Sequence, residues 1–247
     1  MLLDRFSGRK RASQGSPPAQ FPVITFCGVF MNNSLLSDLI RKERKANRKE
    51  TVLYGSCIND SDYNVSKRVN GVDVLCPAYK AWHSMVSRCY SKSVQASQPT
   101  YKDVIVCNDW LRFMEFRSWW IVNNVDGWHL DKDIIGFRNK EYPPDNCIYI
   151  PSWLNSFVLS CDSGVGSYAI GATFRKKINK FEARCRDSFS KNSIYLGYFD
   201  DEISAHLAWL EFKISVAESL KNKMDEIDSR IFNCVISIIK SKQKYKP

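Results

Sequence analysis

Apolar positions along this chain follow two periods, three-to-four over some stretches and two over others, with breaks rich in Gly, Pro, Ser and Asn between them. From Ser34 to Lys49, Leu35, Leu36, Leu39 and Ile40 fall at helical spacing ahead of a strongly basic end, which predicts a short helix. PAYKAWHSMVSRCYSK, residues 77–92, sets Tyr79, Trp82, Met85, Val86 and Cys89 on one face behind a proline suited to a helix start. From about Asn108, NDWLRFMEFRSWWIVNN offers an Asn or Asp cap and then Trp110, Phe113, Phe116, Trp119 and Trp120, rings whose spacing marks them as core. Asn123, Asn124, Asp126 and Gly127 break that helix.

The period then changes. If GWHLDKDII is a strand, Leu130, Lys132 and Ile134 point one way and His129, Asp131 and Asp133 the other. The turn-prone segment GFRNKEYPPDN follows, then CIYIP as a second strand and SWLNSFVL as the start of a helix. Beyond the Gly/Ser stretch SCDSGVGS, AIGATFR sets Ile170, Ala172 and Phe174 against Gly171, Thr173 and Arg175. KFEARCR sets Phe181, Ala183 and Cys185 against Lys180, Glu182, Arg184 and Arg186, and IYLGYF reads as a third strand. DDEISAHLAWLEFKI then brings Ile203, His206, Leu207, Leu210 and Ile214 to one helical face able to cover the sheet. A last helix over 224–243 carries Ile227, Ile231, Val235, Ile238 and Ile239; packing on the fold is its default role and a homodimer contact the alternative.

The expected fold class is therefore α+β: a helical amino-terminal part, a strand–loop–strand–helix unit, and a three-stranded antiparallel sheet packed on one helix. The expected segments are a basic tail at 1–22, an aromatic-rich helical region at 23–127, the strand–loop–strand–helix unit at 128–160, the sheet domain at 164–220 and a terminal helix at 221–247.

Composition narrows the function. At 247 residues and 44% hydrophobic content the chain has the apolar surface for real cores, which excludes a disordered protein. No run of about 18 apolar residues occurs, so no membrane partner is expected, and the amino terminus lacks the form of a signal peptide; the expected location is a cytoplasm. Nine cysteines without a CxxC pair suit reduced thiols, and zinc is not expected although Cys89, Cys107, Cys147 and His83 form a conceivable mixed site. The formal charge of +10 makes a polyanion the leading partner class, double-stranded DNA first. From Ile170 to Gly197 seven Lys and Arg stand against two acids, and Arg175, Lys177, Lys180, Arg184 and Arg186 are the candidate DNA contacts, since a narrow arginine-bearing sheet can enter the major groove.

In LDKD, carboxylates about 7 Å apart along a strand can share a divalent cation such as Mg²⁺ or Mn²⁺. The order and residues of HLDKDIIGFRNKEYPPDNCIYIPSWLN resemble the ββα-metal, or HNH, endonuclease motif. That resemblance implies Asp131 or Asp133 as first metal ligand, Asn139 or Asn146 as the loop-fixing asparagine, and Asn155 as the ligand on the helix. The usual histidine base is missing, since Lys132 or Asp133 stands there; His129 or Asp133 would substitute as base, and Lys132 would contact phosphate. Together with YGSCINDSDYNV, CPAYKAWHSMVSRCYS and PTYKDVIVCNDWLRF, residues 54–215 look like tailed-phage proteins of the HNH or homing-endonuclease type, which implies action in the cytoplasm of an infected bacterium. IGATFRKKINKFEARC followed by YLGYFDDEISAHLAW also resembles the APETALA/ethylene-response-factor (ERF) DNA-binding domain, with His206 read as a core histidine. The expected function is metal-dependent DNA cleavage with site choice by the sheet. The alternatives are a catalytically inactive DNA-binding regulator and a protein that acts on a host protein.

Overall fold

A computed structural model describes residues 37–38, 40–42, 49–69, 72–161, 167–187 and 192–243, all within one unit, Asn32–Pro247. The basic tail expected at 1–22, Cys27, most of the helix expected from Ser34 to Lys49, the Gly/Ser break at 162–166 and Lys191 lie outside these residues; Ser37, Asp38 and residues 40–42 are helical.

The first half builds two hairpins and two main helices. β1 (Thr51–Leu53) pairs with β2 (Cys57–Asn59), and β3 (Ser66–Val69) with β4 (Val72–Leu75), both antiparallel. α1 (Pro77–Tyr90) starts at its proline and buries Ala78, Trp82, Met85, Val86 and Cys89, the stripe expected from spacing with Tyr79 at its margin. Short α2 (Lys92–Ser97) and β5 (Ile105–Val106) lead to α3 (Phe113–Asn123). This helix starts later than its sequence suggests: residues 109–111 form a 3₁₀ turn, and Asn108 makes no side-chain cap. Asp60, distant in sequence, accepts the Met114 N–H at 2.9 Å and Arg112 Nε at 3.1 Å, so a remote carboxylate satisfies the first turn. Trp110, Phe113, Phe116 and Trp120 are buried, and Trp82 donates its indole N–H to the Trp110 carbonyl at 2.7 Å.

β6 (His129–Asp131) pairs antiparallel with β8 (Ile148–Ile150), and β7 (Glu141–Tyr142) pairs parallel with β5. α4 (Ser152–Leu159) follows at once, so the expected strand–loop–strand–helix order is present. β8 is a wall between two cores. Its period of two turns Tyr149 toward the cluster of Trp82, Trp110 and Phe116, and Ile150 toward a second cluster with Leu154, Phe157, Trp209 and Ile231.

That second core draws on the strand–loop–strand–helix unit, the following sheet and helix, and the terminal helices. β9 (Ala172–Arg175), β10 (Lys180–Arg186) and β11 (Ser193–Phe199) form an antiparallel sheet in the order β11-β10-β9, covered on one face by α5 (Glu202–Ser219). α6 (Lys221–Asp225) and α7 (Ile231–Lys240) then bring Met224, Ile231, Val235 and Ile239 into the same core as Leu154 of α4 and Trp209 of α5. The α7 stripe is thus buried inside the chain, and the surface on which a dimer contact was expected is already used.

The buried face of α5 is rotated from the expected one. Ala205, His206, Trp209, Leu210, Lys213 and Ala217 are buried, whereas Ile203 and Leu207 are 42% and 36% exposed. Two distant contacts set this face. Gly171, at φ +85°, lies so close to the indole that a Cβ there would come within 2.3 Å of Trp209. Lys213 donates to the Phe157 carbonyl at 3.0 Å and to Ser160 Oγ at 2.7 Å, placing its ammonium at the carboxy-terminal end of α4. His206 is a core residue: its Nδ1 lies 2.8 Å from the Ile170 carbonyl and its ring stacks on Trp209. The fold is α+β, as expected. Among the described residues no helix is long and apolar enough to cross a membrane.

Candidate functional site

The LDKD stretch is a strand for three residues only. β6 stops at Asp131, and residues 133–137 turn. Asp131 is the reason: its Oδ1 accepts the N–H groups of Asp133 at 2.9 Å and Ile134 at 2.8 Å, an Asp-capped turn that competes with continued strand pairing. The alternation that would align Asp131 with Asp133 ends there. Burial pushes the Asp131 carboxyl above its usual range, and the bond from Ile134 N–H only partly opposes this.

Lys132, expected as a phosphate contact, is 5% exposed. Its ammonium donates to Asp133 Oδ1 at 2.6 Å and to the Asn139 carbonyl at 2.9 Å, and lies 5.5 Å from the centre of the Tyr142 ring. Its donors are therefore directed inward rather than toward solvent. His129 is exposed on β6 opposite Ile150. Asn139 and Asn146, the two candidates for fixing the loop, both flank Gly136: a Cβ there would lie 3.4 Å from Asn139 Cβ and 3.6 Å from Asn146 Cβ. Asn155 is half-buried in the first turn of α4, its backbone N–H bonded to the Pro151 carbonyl.

These groups fit a divalent cation poorly. One Asp131 oxygen already serves two backbone donors, and one Asp133 oxygen already holds an ammonium. Among the described residues no group of three or more His, Cys, Asp and Glu side chains is placed to hold a metal, and that includes the mixed site conceivable for Cys89, Cys107, Cys147 and His83. All eight cysteines of the described residues are free thiols, and burial pushes Cys89 up to about 12.

The outer face of the sheet is organised differently. Strand parity and register put Thr173, Arg175, Lys180, Glu182, Arg184 and Arg186 on the side away from Ala183 and Cys185, which face the core. Glu182 pairs across to Tyr198 and Arg184 to Tyr195, with a bulge between Ala183 and Arg184 that keeps both tyrosines on the outer face. Glu182 is buried, although it lies on that face, because Arg175 and Arg184 close over it: Arg184 Nη2 meets Oε1 at 2.8 Å and the Arg175 guanidinium holds Oε2. Arg184 first, then Arg175, holds the Glu182 carboxyl below its usual range. The guanidinium of Arg184 also lies 5.9 Å from the centre of the Tyr195 ring, and Tyr195 packs edge-on against Tyr198.

Around this centre stand the other basic candidates. Lys177 is exposed in the turn between β9 and β10, Lys180 pairs with Asp200 at 2.9 Å, and Arg186 is exposed at the far end of β10. Counting charges along the sequence made Glu182 a mere subtraction from the basic total; the structure makes it the group that fixes two arginines. Charge and strand parity alone do not point to Tyr195 and Tyr198; the glycine that breaks the alternation in IYLGYF is the signal of the bulge that exposes both rings.

No protein-family description, curated protein or solved structure matches this chain.

Proposed function

We propose that this protein binds double-stranded DNA with the outer face of the β9–β10–β11 sheet. The observation that carries this reading is the Arg175–Glu182–Arg184 clamp flanked by Tyr195 and Tyr198. A guanidinium has five N–H donors in a planar fork, so a bond to Glu182 leaves donors for phosphate oxygens or a guanine edge, with the fork already oriented. Lys177, Lys180 and Arg186 add sequence-independent phosphate contacts, and the charge of +10 steers the polyanion. The likeness of IGATFRKKINKFEARC and its following helix to the ERF DNA-binding domain supports the same face. The test is fluorescence anisotropy with labelled duplexes across a salt series. Arg184→Ala is expected to weaken binding roughly tenfold and to reduce the slope of log K against log salt by about one. Affinity unchanged in Arg184→Ala and in Arg175→Ala would refute the reading.

The strand–loop–strand–helix order of β6, β8 and α4 favours one second reading, an HNH-type endonuclease within the same DNA-binding protein, of the kind carried by tailed phages and acting in the infected cell. It requires Asp133 to exchange Lys132 for Mg²⁺ or Mn²⁺, with His129 or Asp133 as base. Supercoiled DNA incubated with either metal or with EDTA, beside Asp131→Ala/Asp133→Ala, decides it: metal-dependent nicking lost in the double variant supports the nuclease, and no nicking of any DNA leaves a binding protein.

A further inference from the structure

Loop 132–140 is held by an unusual number of internal bonds for a short surface turn. Asp131 caps it with two N–H bonds, and Lys132 ties Asn139 back to Asp133. Arg138 N–H reaches the Asp133 carbonyl at 3.1 Å, and Asn139 N–H the Gly136 carbonyl at 3.0 Å. Gly136 sits so tightly over the turn that a Cβ would come within 2.5 Å of the Lys132 carbonyl oxygen. The two residues that follow, Phe137 and Arg138, both take left-handed backbone angles, at φ +47° and +64°. A left-handed residue closing such a turn is usually Gly or Asn, because a Cβ is strained there. Here the position holds a phenylalanine, and Phe137 is 54% exposed.

A strained backbone that presents an apolar ring to solvent gains nothing for stability, and such outliers concentrate at binding sites. The neighbours indicate the ligand. Arg138, Asn139 and Lys140 are all exposed, so two cationic side chains follow the ring within three residues along the chain. A protein partner's apolar pocket would call for a wider apolar surface than one ring followed by two cationic residues. A rigid aromatic wedge among phosphate-seeking cations matches the side chains that enter between base steps of a duplex and unstack them.

We propose that Phe137 is a DNA wedge, inserted at a base step while Arg138 and Lys140 hold the flanking phosphates. This rests on the reading that the protein binds duplex DNA, and adds to it a second contact that distorts the helix. A wedge does less work where a step is already weakened, so it confers preference for a duplex carrying a single mismatch over the same duplex fully paired.

The experiment measures affinity of the full chain for two labelled duplexes that differ only in one mismatched pair. Wild type is expected to favour the mismatched duplex about fivefold or more, as aromatic–base stacking contributes on that scale. Phe137→Ala should bind both duplexes equally and Phe137→Trp should keep the preference. Phe137→Asn tests for a merely structural role: asparagine accepts the left-handed angle, so this variant should melt higher than wild type yet lose the preference. Equal affinity for the two duplexes in wild type, or a preference that survives Phe137→Ala, overturns the wedge and leaves duplex binding standing. No binding of either duplex overturns both. Arg184→Ala should weaken binding to the two duplexes alike, which separates the sheet's contribution from the loop's.

Discussion

Glu182 and Arg184 stand two residues apart on β10, and their side chains meet at 2.8 Å with the acid buried and the arginine 43% exposed. An acid on the face proposed to bind a polyanion is a cost in simple charge terms. Its position under two guanidinium groups makes it a holder: it fixes the forks of Arg175 and Arg184, whose side chains stay 46% and 43% exposed.

Glu182→Gln therefore separates charge from order. The substitution makes the protein more positive, so a charge-only account predicts tighter binding. The holder account predicts weaker binding, by about three- to tenfold, because two long side chains must then be ordered at the moment of association. Anisotropy at matched ionic strength reads the sign directly. The same carboxyl should also mark the stability curve. Its native pKa lies below the unfolded value near 4.3, so its contribution is complete above that pH and is lost as pH falls through the lower native value.

Asp131 titrates with the opposite sign. Burial raises its carboxyl, so the folded state binds more protons than the unfolded one between the two pKa values, and stability falls as pH rises through that window. Asp131→Asn keeps an acceptor oxygen for the Asp133 and Ile134 N–H groups without the buried charge. It is expected to be at least as stable as wild type at pH 7, with an advantage that shrinks as pH falls toward about 4. Asp131→Ala leaves two donors unpaired and should cost about 1–3 kcal/mol. Urea unfolding of the three proteins at pH 7 and pH 4.5 checks this, and an Asn variant markedly less stable than wild type at pH 7 would show that the charge itself is required.

How much of this could be read from sequence depends on the range of the interaction that decides each element. The faces of β9 and β10 follow from period two alone, and Ala183 and Cys185 point inward as their alternation requires. The stripe of α1 is equally local. The face of α5 is not: Ile203 and Leu207 are the more apolar residues, yet the contact between Gly171 and Trp209 and the bond from Lys213 to the Phe157 carbonyl turn His206 and Lys213 inward. The start of α3 depends on Asp60, which no window around Asn108 contains. In LDKD a side chain overrode a periodicity: Asp131 takes the next two N–H groups and ends the strand, so the paired-carboxylate geometry of an extended strand is not formed. The Arg175–Glu182–Arg184 clamp needed the register of two strands, although its residues were already marked by type and face.

Gly171→Ala tests the contact that orients the sheet on its helix. The backbone at φ +85° already disfavours a side chain, and the added Cβ would have to displace the Trp209 indole, which is backed by the second core. The two effects together should lower stability by about 2–4 kcal/mol. Because Gly171 also closes the bulged strand, its carbonyl accepting Arg184 N–H at 2.9 Å, DNA affinity should fall even at temperatures where the variant remains folded. Denaturant unfolding and anisotropy on the same preparation measure both effects; full stability with normal binding would show that the sheet tolerates a different seat on α5.

Val235 distinguishes a core helix from an interface helix. Together with Ile231 and Ile239 it is buried in the cluster that contains Leu154, Trp209 and Met224, so α7 is held by the same chain's α4, α5 and α6. Val235→Asp places an unpaired carboxylate there and should cost several kcal/mol, on the order of 3 or more, with loss of far-UV and near-UV signals together. Ser237→Asp, on the exposed side of the same helix, should change stability by no more than about 0.5 kcal/mol. Circular dichroism with sedimentation velocity separates the two roles of the stripe. A core helix gives unfolding in Val235→Asp without any well-folded smaller species, whereas an interface helix would give a folded monomer from a wild-type dimer, and that result would return α7 to the surface of the protomer.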